Sequence, residues 1–185
     1  GTDLAVTGVN NLNGTASINL ALPVFSTDLL TGYSVVAIGG SAFAKNTAIE
    51  EFKMPHTVTV IGASAFSGAS QLKFVWMSTN LQQIGSSAFA STGYETQSAG
   101  WSRPFFIPEP VPPSVTSIGS SAFGFSWCTN EFVRVCNPAV KTLGSGAFQR
   151  ALWREIDLTG SRIATFDGDW LVYAGTRLKN ITFPQ

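Results

Sequence analysis

The sequence is poor in the groups that perform chemistry. Its 185 residues include a single histidine, His56, and only 12% charged side chains. That is about half the usual share for a globular chain. Acid–base and nucleophilic catalysis both need titratable groups that converge on one point, and here there are few to converge. Two cysteines, Cys128 and Cys136, are too few for a disulfide framework or a cysteine-based zinc site. Eleven basic residues balance eleven acidic ones, and no basic tract exists. Nucleic acid, whose binding needs clustered Lys and Arg to displace counterions, is therefore not an expected partner. No apolar run approaches the roughly 18–20 residues of a membrane-crossing helix, so no transmembrane segment is expected in this sequence. It starts at Gly1 rather than Met, so its lack of a leader decides nothing about export.

Apolar residues are plentiful, at 44%, and several of the 14 phenylalanines recur with a period. A six-residue motif appears five times, starting at Ile38, Ile61, Ile84, Ile118 and Leu143. The first copy reads Ile38-Gly39-Gly40-Ser41-Ala42-Phe43 and the fifth Leu143-Gly144-Ser145-Gly146-Ala147-Phe148. A degenerate sixth begins Phe166-Asp167-Gly168, with Trp170-Leu171 near the Ala-Phe place. The step is 23 residues from Ile38 to Ile61, from Ile61 to Ile84 and from Leu143 to Phe166. It is 25 from Ile118 to Leu143 and 34 from Ile84 to Ile118; an 11-residue insertion in the Ser-, Gly- and Pro-rich stretch 94–113 accounts for the longer step.

Between motifs lies a second pattern, in which apolar residues alternate before a Pro or polar residue. Examples are Ile49, Phe52, Met54, Pro55; Leu72, Val75, Met77, Ser78; Trp153, Ile156, Leu158, Thr159; and Leu178, Ile181, Phe183, Pro184. Weaker copies are Phe132, Val135, Asn137, Pro138, then Phe105, Ile107, Pro108, and the earliest, Leu20, Leu22, Pro23. Period-two alternation predicts a short strand with one buried face, ended by a proline that cannot donate to a ladder. A third element is an apolar pair three apart before each Gly, such as Val35 and Ile38 or Val58 and Ile61. Each coil thus has three apolar sides. The Gly suits a tight corner or a close backbone approach, and the Ser before Ala-Phe is expected to cap a single helical turn.

Such a coil cannot bury its apolar face alone; stacking buries it. The expected fold is an α/β repeat solenoid, a leucine-rich-repeat-like right-handed coil. A short parallel sheet would line one face, with turns or single-turn helices on the other. Residues 1–34 are expected to form an N-terminal capping region with a first degenerate coil. Residues 35–185 would hold five to six coils, interrupted near 90–113, all in one domain.

These residues resemble the BspA-type leucine-rich repeat, known from bacterial and some protist surface proteins. That pattern runs Ile-Gly, two variable, Ala-Phe, two variable, a small residue often Cys, then Leu, Ile and Leu-Pro at strand spacing. The match covers about residues 35–185 and, more loosely, 16–34. Asn46, Ala69 and Ala151 fill the small position, as does Cys128 if two residues are inserted before it. Asn137, in place of an apolar strand residue, the decayed last coil and the insertion depart from the pattern. The resemblance implies an exported protein at the cell surface or outside the cell. It implies adhesion to, or recognition of, host or matrix proteins.

No catalytic set, cofactor site or metal site emerges. His56 follows Pro55 at the turn after a strand and reads as a solvated loop residue. Glu50 and Glu51 are adjacent, so their side chains point to opposite faces and form no acid–base pair. Asp167-Gly168-Asp169 offers two carboxylates where a calcium site needs about six to eight oxygens, and reads as an ordinary turn. Cys128 and Cys136 are open to being free or bonded.

A partner would meet the outward strand residues. With Phe52, Met54, Val75, Met77, Ile156, Leu158, Ile181 and Phe183 buried, the outward positions across coils are Ala21, Lys53, Trp76, Phe106, Cys136, Asp157 and Thr182. Two residues earlier stand Glu51, Phe74, Arg134, Glu155 and Asn180. Lys53, Phe74, Trp76, Phe106 and Arg134 are the candidate partner-binding residues, since exposed aromatics beside basic groups make up typical protein-binding hot spots. The competing reading is that Trp76 and Phe106 are covered by the insertion or stabilise the sheet by cross-strand packing. A protein ligand is the first expectation, with a carbohydrate-binding surface or a structural spacer segment as alternatives.

Overall fold

A computed structural model describes residues 2–6, 17–19, 33–95, 102–103, 111–126, 132–134, 139–151, 155–163 and 180–183. The described strands in chain order begin with β1 (Thr2–Val6), β2 (Ser17–Asn19), β3 (Tyr33–Ile38), β4 (Glu51–Lys53), β5 (Val60–Ile61), β6 (Phe74–Trp76) and β7 (Gln83–Ile84). Then follow β8 (Tyr94–Glu95), β9 (Ser102–Arg103), β10 (Ser117–Ile118), β11 (Phe132–Arg134), β12 (Thr142–Leu143), β13 (Glu155–Asp157) and β14 (Asn180–Thr182).

The alternating segments form the expected parallel ladders, β2-β4-β6 and β11-β13-β14. A second, longer sheet accompanies them. The apolar pair before each Gly is itself a strand, and these strands stack as β1-β3-β5-β7-β10-β12, all parallel. Each regular coil therefore contributes to two sheets rather than one. The insertion carries its own antiparallel pair, β8 with β9.

The third side, around Ala-Phe, differs from expectation. Among the described residues there is no helix. The Ser expected to cap one instead adopts a left-handed backbone, with φ of 57° at Ser41 and Ser64, 55° at Ser87 and 52° at Ser121. Gly146 takes that place in the next coil, at 64°. Four residues later the backbone is left-handed again, at Lys45, Gly68, Ser91, Phe125 and Arg150. This arrangement turns alternate N–H groups toward the next coil. Ser41, Phe43 and Lys45 donate to the carbonyls of Ala63, Ala65 and Ser67 at 2.7–2.9 Å, while Ala42 and Ala44 bond within their own coil. A helical turn would aim its N–H groups along its own axis; the left-handed residues turn alternate ones sideways, to the neighbouring coil.

Inside, the coils register side chain on side chain. Phe43, Phe66, Phe89, Phe123 and Phe148 are fully buried and stack in sequence at 5.1, 5.2, 5.3 and 5.9 Å between ring centroids. Phe52 packs edge-on against Phe43 and Phe66. Beside them runs the column Ile38, Ile61, Ile84, Ile118 and Leu143. The Ile-Gly glycine is there for space. A Cβ on Gly85 would lie 2.6 Å from the Ala63 nitrogen and the Gly62 carbonyl carbon, and Gly62 and Gly119 are as tightly placed.

Four details of the expected packing change. In the first coil, Ile18 pairs with Phe52 and Asn19 with Lys53, so Asn19 takes the register position assigned to Ala21. In the 25-residue coil, Val133 rather than Val135 pairs with Ile156. One extra residue falls on each side of that strand; Asn137 lies outside the described residues. The place three residues after Phe123, equivalent to Asn46, Ala69 and Ala151, belongs to buried Ser126, whose hydroxyl donates to the Phe123 carbonyl at 2.6 Å. Cys128 and Cys136 lie outside the described residues. Finally, Met77 is only partly buried and Phe183 is 50% exposed, whereas Met54 and Leu158 are buried.

Gly85→Ala will lower stability by about 1–3 kcal/mol, the range for forced overpacking, because its Cβ meets backbone that cannot rotate away. Gly40→Ala is the control, since its Cβ meets only the Ala63 carbonyl oxygen at 3.4 Å; it will shift the urea midpoint little. At the corner, Ser64→Gly will be tolerated and Ser64→Val will cost roughly 1–2 kcal/mol more, because the left-handed region penalises a Cβ and a β-branched one most. Equilibrium urea unfolding of the four variants checks both orderings.

Candidate binding face

The face begins with two three-residue strands one coil apart. In β4 and β6 the central residues Phe52 and Val75 are fully buried, while Glu51, Lys53, Phe74 and Trp76 on either side are partly exposed. The parallel register sets Glu51 opposite Phe74 and Lys53 opposite Trp76. The strands are tied at their ends by Phe74 N–H donating to the Glu50 carbonyl at 3.1 Å and Met54 N–H to the Trp76 carbonyl at 3.0 Å.

The expected cluster of Lys53, Phe74 and Trp76 is present. The Phe74 and Trp76 rings lie 5.7 Å apart at 29°, and the Lys53 ammonium sits 4.6 Å from the centroid of the Trp76 ring. An ammonium over an indole face is attracted by the ring quadrupole, worth about 0.5–1 kcal/mol where solvent reaches it. Next to the cluster, Lys73 and Glu50 form an ion pair at 2.7 Å, with both side chains about one-third exposed. Screening by solvent keeps such a pair small in stability terms. Its electrostatic effect is local: Lys73 is neutralised. Among the described residues Lys53 has no carboxylate partner.

Arg134 lies on β11, in the ladder with β13 and β14, where the register sets it opposite Asp157. Its partner in the register is thus an acidic residue. Along the same ladder the Asn180 amide donates to Glu155 at 3.0 Å, and the Asp157 carboxylate accepts from the Thr159 N–H at 2.9 Å. Phe106 lies outside the described residues, as do Asp167, Gly168 and Asp169.

Two pairings escaped the sequence reading although their signal was present. Lys53 and Trp76 are 23 residues apart, as are Glu50 and Lys73, the length of one coil. Residues one coil apart are lateral neighbours, so opposite or complementary types at that spacing mark contacts. The same rule finds Arg150 stacked on the half-exposed ring of Phe125 at 5.1 Å, one 25-residue coil away on the corner.

The described residues hold no cluster of three or more His, Cys, Asp or Glu side chains that could bind a metal. His56 is exposed, and its backbone carbonyl accepts from Ser78 and Asn80 of the next coil at 3.1 and 2.9 Å. No helix among the described residues is long and apolar enough to cross a membrane.

The profile described as BspA type Leucine rich repeat region matches residues 27–99 and 110–185, in six copies. The chain belongs to this family. The break in the match coincides with the insertion that separates the third and fourth motif copies. A crystal structure of a leucine-rich repeat protein from Bacteroides ovatus ATCC 8483 is similar over 96% of the chain, with a TM-score of 0.62 and 21% identity. The chain spans 48% of the length of that protein, and at this identity the likeness concerns the fold. Among curated proteins none matches. In this BspA-type array the buried positions serve stacking, whereas Glu51, Lys53, Phe74 and Trp76 face away from the core.

A double-mutant cycle of Lys53→Met and Trp76→Leu will show a coupling of about 0.5–1 kcal/mol in unfolding free energy. Equilibrium denaturation of the four species measures it. A coupling near zero would mean the ammonium does not rest on the ring in solution.

Proposed function

We propose that the chain is a non-catalytic interaction module, displayed at the cell surface or secreted, that binds a protein ligand, of host or matrix origin, through the outer face of β4 and β6. The observation that carries this reading is the partly exposed Lys53, Phe74 and Trp76 cluster on a strand face whose opposite side is core. Aromatic and cationic side chains held by a rigid scaffold are the groups that dominate protein recognition. Family membership supports surface display and protein interaction, since leucine-rich repeats commonly present extended faces to protein partners. The non-catalytic reading rests on the single, exposed histidine and on the ion-paired Glu50. A bulge between Leu4 and Ala5 in β1, the edge strand of the long sheet, supports reading residues 1–34 as a capping region.

Trp76→Ala will weaken binding to whichever matrix or host protein the chain recognises by at least about ten-fold, the effect of losing an anchor residue. The thermal midpoint will fall only modestly, because the ring is not in the core. Surface plasmon resonance against immobilised matrix proteins, alongside a glycan array, reads the outcome. Unchanged affinity in a folded variant removes this face. Binding to glycans alone supports the carbohydrate reading, and binding to neither supports a structural spacer.

A further inference from the structure

We infer that the ligand of this face is an extended peptide segment carrying an acidic side chain two residues from a basic one, with an apolar side chain beside them. The inference rests on the proposed binding face and specifies its chemistry.

The face presents a two-by-two array. Glu51 and Lys53 stand on β4, with Phe74 and Trp76 directly opposite on β6. Both charged residues lie on the outward side, since Phe52 between them is fully buried. Two residues along a strand span about 6.5–7 Å, the same spacing at which an extended peptide presents its own alternate side chains. An acid placed at Lys53 therefore brings a base two residues away to Glu51, and for a peptide laid in one direction the reversed order sets like charges together. Such repulsion contributes as much to selectivity as the matched pairs.

The arrangement disfavours two other ligand classes. A sugar would stack on the face of Trp76, but the Lys53 ammonium already occupies a position 4.6 Å from that centroid. A peptide carboxylate meets the ammonium where it rests and leaves the ring contact intact. A sulfated polyanion needs a field of positive charge, and here Glu50, Glu51, Lys53 and Lys73 balance, with Lys73 spent on Glu50 at 2.7 Å. A charge-balanced patch with one pre-placed cation fits a ligand that is itself charge-balanced.

The test uses the full chain and a phage-displayed library of random nonapeptides, selected at low salt. Enriched peptides are synthesised with a fluorophore and titrated by fluorescence polarisation. The probes are applied to the unmodified chain, Trp76→Ala, Lys53→Glu, Glu51→Lys and the double variant Glu51→Lys/Lys53→Glu, each confirmed as folded by its thermal transition. The expected consensus has an acidic and a basic residue two apart. Lys53→Glu should weaken the selected peptide by at least about ten-fold. The double variant should prefer the peptide with those two residues exchanged. If Trp76→Ala abolishes binding but either charge reversal changes it less than about two-fold, the ligand class is overturned and the face stands. If binding survives Trp76→Ala, the face itself is overturned. Failure of any peptide to enrich, with Trp76-dependent binding to neutral glycans instead, also overturns the peptide class.

Discussion

The backbone hydrogen bonds between successive coils are the constraint to which the rest of the structure answers. Strands in a parallel ladder stand about 4.8 Å apart, and the chain applies that spacing on every described side. Two sides do so with ordinary strands. The corner does so with a non-helical path in which alternate N–H groups reach the next coil. At such a distance there is no room for a Cβ between the Ile-Gly corners, so glycine recurs at Gly62, Gly85, Gly119 and Gly144. The same spacing brings identical side chains face to face, and the nearly parallel Phe rings at 5.1–5.3 Å follow from it. Each buried ring is worth about 3–5 kcal/mol against alanine. The stack therefore stabilises the array strongly, but its geometry is set by the backbone.

What could be read from the sequence follows from this division. The period, the buried columns of Ile and Phe, and the outward places of Lys53 and Trp76 were legible because the coils from Ile38 to Ile84 keep one length. The second sheet was not. Its described strands beyond β3 are two residues long, too short to show an alternation, and an apolar pair three apart suits a turn or a helix equally. The left-handed Ser residues were hidden for a different reason. Serine is a good helix cap, and local propensity pointed to a helix that the ladder overrode. Register failed where coil length changes: Val133 and Val135 are both apolar and two apart, so either satisfies the pattern, and pairing with Ile156 decides between them.

That register shift also reshaped the candidate site. By pattern, Arg134 flanked the aromatic strip; by pairing, it stands opposite Asp157, in a ladder that includes Glu155 and Asn180. Charges on the outward face are thus handled in two ways. Around β13 the polar groups bond to one another or to backbone. Around β4, Glu50 takes Lys73 and leaves Lys53 to the Trp76 ring. A cation on an aromatic face commits no N–H to a carboxylate, whereas one in an ion pair does.

The magnitudes separate a structural role for the cluster from a recognition role. The Lys53–Trp76 contact and the Phe74–Trp76 contact each add on the order of 0.5–1.5 kcal/mol. One core phenylalanine is worth more than either, and five are stacked in the described coils. An array with that interior does not depend on an outward Trp for its stability, and a Thr or Val at the same position would satisfy the sheet at least as well. Folding therefore does not require a large aromatic side chain kept partly in solvent beneath the Lys53 ammonium. On that ground the recognition role is proposed for this face.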